Sequence, residues 1–122
     1  MQRVLVVDDD DVIRDLLTIT LQQAGYEVIE ASNGRFGLEQ INNSQVDLVI
    51  TDIFMPEMDG IEFIAMLYQR SPHPKVIVMT GGSKLMDSSF SLKVAETFGV
   101  DTVLEKPMTP NSIINMVNSV LN

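Results

Sequence analysis

The sequence predicts an α/β fold, a five-stranded parallel sheet with helices on both faces, in one domain over residues 1–122. Three observations carry this expectation. Strand-sized apolar runs alternate with helical patterns along the chain. Three of those runs are continuously apolar, so both faces of each strand must be covered. The connections are short, which in repeated βα units implies right-handed crossovers.

The runs lie at residues 4–7, 28–29, 48–50 and 76–79, with a weaker fifth at 103–104. Glu27 and Glu30 flank the second, which suits an edge strand. In the first helix Val12, Ile13, Leu16, Leu17, Leu21 and Ala24 recur every three or four residues and stop at Gly25, a good C-terminal cap. Leu38 and Ile41 after Asn33-Gly34 mark a weaker helix with Gly37 inside it; an internal glycine costs about 1 kcal/mol against alanine. Ile61, Ile64, Ala65, Met66 and Leu67 make a third helix, ending before Ser71-Pro72. Leu85, Met86, Phe90, Val94, Ala95 and Phe98 make a fourth, closed by Gly99. Thr109-Pro110 then reads as an N-cap with proline at the first helical position, leading into Ile113, Ile114, Val117, Val120 and Leu121.

Composition narrows the function. At 45% hydrophobic and 20% charged residues, the chain sits in the globular range. Seventeen acids against eight bases give a net charge of −9, which opposes binding to a phosphate backbone. Without cysteine there are no disulfides, thiolate metal sites or thiol nucleophiles. His73, the lone histidine, lies between Ser71-Pro72 and Pro74 and reads as a loop residue, so a histidine metal cluster is excluded. The longest apolar run, residues 63–68, is too short for a membrane span, and no secretory signal opens the chain. A cytoplasmic location is expected.

In an open parallel sheet, ligands sit beyond the carboxyl ends of the strands. Asp8-Asp9 stands there after the first run, Asp52 after the third, Thr80 after the fourth and Lys106 after the fifth. Three converging carboxylates repel one another unless a cation neutralises them. Oxygen-only ligands favour Mg²⁺, and with three aspartates and one lysine a divalent ion leaves the group neutral. A lysine and a hydroxyl beside such a site suit the equatorial oxygens of a phosphoryl group, with Asp52 as a candidate nucleophile. Each residue also has an ordinary reading. The block Asp8-Asp9-Asp10-Asp11 suits a helix N-terminus, a role that fits Asp10 and Asp11 best. Thr80 alone is a strand-end residue and Lys106 alone a solvated charge; it is their joint order that points to chemistry.

These residues resemble the receiver domain of bacterial two-component response regulators, from about Arg3 to Leu121. The signals are Val6-Val7-Asp8-Asp9, Asp52 with Met55-Pro56 and Asp59-Gly60, Val78-Met79-Thr80-Gly81, and Lys106-Pro107. The resemblance implies a flavodoxin-like sheet of order 2-1-3-4-5. It also implies that Asp52 accepts a phosphoryl group from a phosphohistidine on a sensor histidine kinase or phosphotransfer protein. Asp9, Asp52 and the Phe54 carbonyl would bind Mg²⁺ directly, Asp8 through metal-bound water. Thr80 and Lys106 would each meet a phosphoryl oxygen, and the Lys106-Pro107 bond would be cis. Such a protein is a switch and no turnover enzyme; it would bind its target through the face of the fourth and fifth helices, where Lys84, Lys93, Glu96 and Asn118 are expected to be exposed. A monomer is expected, with dimerisation on activation left open, and no direct nucleic-acid partner.

Three features depart from the family pattern. Phe54, two after Asp52, and Gly82, two after Thr80, offer no polar side chain to orient an attacking water. Val103, three before Lys106, replaces the aromatic residue that in the family rotates inward. Lys106 follows Thr80 by 26 positions, a longer separation than is usual in the family. Three other readings stay open on the residues. A Mg²⁺-dependent phosphohydrolase would need a second carboxylate where Phe54 stands. A flavin or nucleotide module would need a glycine- or hydroxyl-rich loop where the aspartates stand. A phosphorylation-independent interaction domain would have no need of the complete acidic set with Lys106.

Overall fold

The computed structural model describes residues 1–53, 55, 58, 60–80, 93 and 96–122. The strands are β1 (Arg3–Val7), β2 (Glu27–Ala31), β3 (Leu48–Thr51), β4 (Lys75–Thr80) and β5 (Thr102–Glu105). Helices α1 (Asp11–Gln23), α2 (Gly34–Asn43) and α3 (Gly60–Tyr68) join the first four, and a C-terminal helix (Pro110–Leu121) follows β5. Of the helix expected over 85–98, the described residues Lys93, Glu96, Thr97 and Phe98 are helical; the rest lies outside the described residues.

All pairings are parallel, and the order is β2-β1-β3-β4-β5, as expected. The alternation of strand side chains explains the unbroken apolar runs. Val4 and Val6 of β1 face one layer with Leu17, Leu21, Ile113 and Val117, drawn from α1 and the C-terminal helix. Leu5 and Val7 face the other, with Leu38, Phe63, Ile64 and Leu67 from α2 and α3. Strand β2 is at the edge, and Glu27 and Glu30 are exposed.

Local chemistry sets the helix limits. Asp10 caps α1, its carboxylate accepting from the N–H groups of Val12 and Ile13. The helix ends where Gly25 takes a φ of 96°, which lets the Tyr26 N–H return to the Leu21 carbonyl. Asn33 caps α2 by accepting from Phe36 N. Gly37 follows from packing: a Cβ there would stand 3.0 Å from the Phe63 ring, so the close approach of α2 to that buried phenylalanine offsets the propensity cost. Thr109 and Ser112 form a reciprocal capping box at the C-terminal helix, with Pro110 in its first turn.

Candidate phosphoacceptor site

The register brings the expected strand-end residues together. Val7, the last residue of β1, pairs with Ala31 on one side and Thr51 on the other. Its neighbours in sequence therefore emerge side by side. The Asp8 N–H donates to the Ala31 carbonyl at 3.2 Å and the Asp52 N–H to the Val7 carbonyl at 3.0 Å. Both aspartates are buried, whereas Asp9, in the turn before α1, reaches solvent. One carboxylate oxygen from each of Asp8, Asp9 and Asp52 lies within 4.8 Å of the others.

Lys106 enters from β5. Its Nζ donates to Asp8 Oδ2 at 3.1 Å and to Asp52 Oδ2 at 3.3 Å, with only 8% of its side chain exposed. The Lys106 N–H donates to the Thr80 carbonyl at 2.8 Å, tying the ends of β4 and β5 together. Thr80 is itself buried, and the Lys106-Pro107 peptide is cis. The remaining oxygens are held by backbone donors: Asp10 N–H to Asp8 Oδ1 at 2.9 Å and Ile53 N–H to Asp52 Oδ1 at 2.8 Å.

The charges answer to this geometry. Burial pushes the Asp8 carboxyl above the usual carboxylate range, and the Asp52 charge adds to that; the Asp10 N–H and Lys106 oppose it without cancelling it. For Lys106, burial acts downward, but the charges of Asp52 and Asp8 together outweigh it and hold the ammonium above its ordinary value. One lysine thus serves two buried acids with a third beside them. This deficit of positive charge among oxygen donors fits a hard divalent cation.

Phe54, Pro56, Asp59 and the 81–83 segment lie outside the described residues, as does Lys84. Lys93, Glu96 and Asn118 are exposed, and Val103 on β5 is half-buried. Two contributors escaped the sequence reading. Gly60 was legible as part of Asp59-Gly60, but its role was not: a Cβ there would fall 2.2 Å from the Asp52 carbonyl oxygen. Arg14 was overlooked, although its place six residues after Asp8, one turn into a helix whose side chains tilt toward the N-terminus, was a usable signal.

The family profile described as "response regulator receiver domain" matches residues 4–118. The chain belongs to this family. The alkaline phosphatase synthesis transcriptional regulatory protein PhoP of Bacillus subtilis is 31% identical over 120 residues, covering 98% of this chain and 48% of PhoP. This chain therefore spans about half the length of that relative. The chemotaxis protein CheY of Thermotoga maritima is 35% identical over 120 residues, covering 98% of this chain and 97% of CheY. Among solved structures, the response regulator TrrA of Thermotoga maritima in complex with Mg²⁺–BeF has a TM-score of 0.84 and 32% identity. That match covers 99% of this chain and 100% of TrrA. Receiver domains are signalling switches of two-component systems, and this chain shares their fold and acidic cluster. Among the described residues no helix is long and apolar enough to cross a membrane.

Proposed function

We propose that this receiver domain accepts a phosphoryl group on Asp52 from a phosphohistidine of a sensor kinase or phosphotransfer protein, in a Mg²⁺-dependent reaction that changes its partner binding. The observation that carries the reading is Lys106 Nζ lying within 3.3 Å of both Asp52 and Asp8 at the carboxyl end of the sheet. An Asp52 oxygen attacks phosphorus; the new O–P bond forms as the P–N bond breaks, and the imidazole nitrogen leaves with that electron pair. The Ile53 N–H orients the acceptor carboxylate through Oδ1. Lys106 turns from the carboxylates to one equatorial phosphoryl oxygen, and the Thr80 hydroxyl donates to another.

Asp9, Asp52 and the Phe54 carbonyl would hold Mg²⁺ directly, with Asp8 engaged through metal-bound water. The ion, when bound, neutralises charge on the phosphoryl oxygens. TrrA, which carries Mg²⁺–BeF, is a relative whose site supports this choice. The exposed Lys93, Glu96 and Asn118 belong to the surface proposed for a downstream protein target.

Incubation with acetyl phosphate and Mg²⁺, followed by intact mass, tests the acceptor. One phosphoryl group is expected on the native chain and none on Asp52→Asn. Label on both, or on neither, would refute the assignment.

A further inference from the structure

We infer that Arg14 is a positioning residue for the metal-binding turn: by gripping the backbone carbonyl of Asp8, it fixes the peptide plane from which Asp9 projects. The inference rests on the proposed Mg²⁺ role of Asp9. Strand β1 ends at Val7, and the ladder extends one step further through the Asp8 N–H to Ala31. Beyond that the backbone turns toward α1, and among the described residues no strand N–H donates to the Asp8 carbonyl. Arg14 Nη1 donates to it at 2.8 Å.

That carbonyl belongs to the planar Asp8–Asp9 peptide, so holding the oxygen sets the orientation of the whole unit. Other contacts hold the turn on either side. Asp8 Oδ1 fixes the Asp10 N–H, and Asp10 Oδ1 fixes the N–H groups of Val12 and Ile13. Asp9 lies between these clamps.

The guanidinium reaches the carbonyl because the rest of its fork is anchored. Nη2 pairs with Asp11 at 2.6 Å and Nε with Glu30 of β2 at 3.4 Å, leaving the side chain 17% exposed. Both acids are well exposed, so these pairs do little for stability by themselves. They hold a rigid planar cation across α1, the end of β1 and the edge strand, a geometry that lysine, a single point donor, does not reproduce.

Electrostatics and positioning predict opposite signs. Removing a positive charge beside an acidic site tightens Mg²⁺ binding if charge is all that matters. Releasing the turn weakens it, by about tenfold if the grip acts like the outer-sphere partners of metal ligands. Isothermal titration of the full chain with MgCl₂ separates the two. Arg14→Met should retain the metal-free fold, judged by circular dichroism and melting, yet bind Mg²⁺ more weakly, with shifted Asp9 and Asp10 amide resonances before metal is added. Arg14→Lys, which keeps the charge and is the variant to rely on should Arg14→Met not fold, should also bind more weakly than native. Unchanged or tighter binding in the folded variants would overturn the inference while leaving the function standing. A native chain that binds no Mg²⁺ would remove both.

Discussion

Asp8 shows how a single buried carboxyl couples stability to function. Its folded pKa lies above the unfolded value of 3.8, so the native state holds this proton more tightly than the unfolded chain. In the metal-free protein its contribution to stability therefore falls as pH rises from 3.8 through the raised value. Asp8→Asn keeps an acceptor for the Asp10 N–H and removes the charge. It is expected to stabilise the metal-free chain by about 1 kcal/mol at pH 7, a gain that shrinks toward pH 4 and is read by urea denaturation. The Lys106 contribution has the same form at higher pH: it is present below the unfolded pKa of 10.5 and is lost as pH rises through the higher folded value. On the proposed function, residue identity is also expected to set the lifetime of the phosphorylated state. Neither Phe54 nor Gly82 can hold a water by its side chain, so loss of the phosphoryl group without a phosphatase should be slow. A decay of the acyl phosphate complete within seconds would contradict this. Asp8, Asp52 and Lys106 could be found in the sequence because Asp8 directly follows an apolar run and the other two follow theirs after one intervening residue. Arg14 could not be found that way, since an arginine on an amphipathic helix looks like a solvated charge until the turn folds back beneath it.

At the scale of elements, the approach of α3 to the end of β3 decides where Asp52 sits. The Gly60 N–H donates to the Ile53 carbonyl at 2.6 Å, and a Cβ at Gly60 would stand 2.2 Å from the Asp52 carbonyl oxygen and 2.6 Å from Ile53 Cα. Both obstructing atoms are backbone and cannot swing aside. Gly60→Ala must push α3 away from the sheet, at a cost of about 3 kcal/mol on the scale of overpacked cores, and shift Asp52 with it. Urea denaturation should show the loss, and phosphorylation by acetyl phosphate should fall in the fraction that remains folded. An alanine variant as stable as the native chain would show that the helix accommodates the methyl group. Element identity was legible wherever periodicity and a cap agreed, as in α1 with Gly25 and the C-terminal helix with Thr109-Pro110. Strand β2 was legible as an edge from the glutamates on either side of Val28-Ile29. The contact at Gly60 was not, because sequence shows a turn glycine but not the backbone lying against it.

For the whole molecule, the question is how occupancy of Asp52 reaches the surface. Thr80 ends β4, is buried, and is tied through its carbonyl to the Lys106 N–H. On the proposed function, a hydroxyl drawn toward a phosphoryl group is expected to displace the chain that follows it, residues 81–83. Val103 sits three residues before Lys106, and its β-branched side chain is stiff about χ1 and too short to swing between a surface and a buried position. The signal should consequently run from Thr80 through 81–83 into the helix expected over 85–98, with little rearrangement around Val103. Beryllofluoride with Mg²⁺, the ligand pair found with TrrA, provides a stable test. Amide shift changes should concentrate at 81–98 and stay small at residues 102–104. If residues 83–98 kept their shifts on saturation while β5 moved, transmission would run through the lysine strand instead, and the missing aromatic residue would have been no obstacle to it.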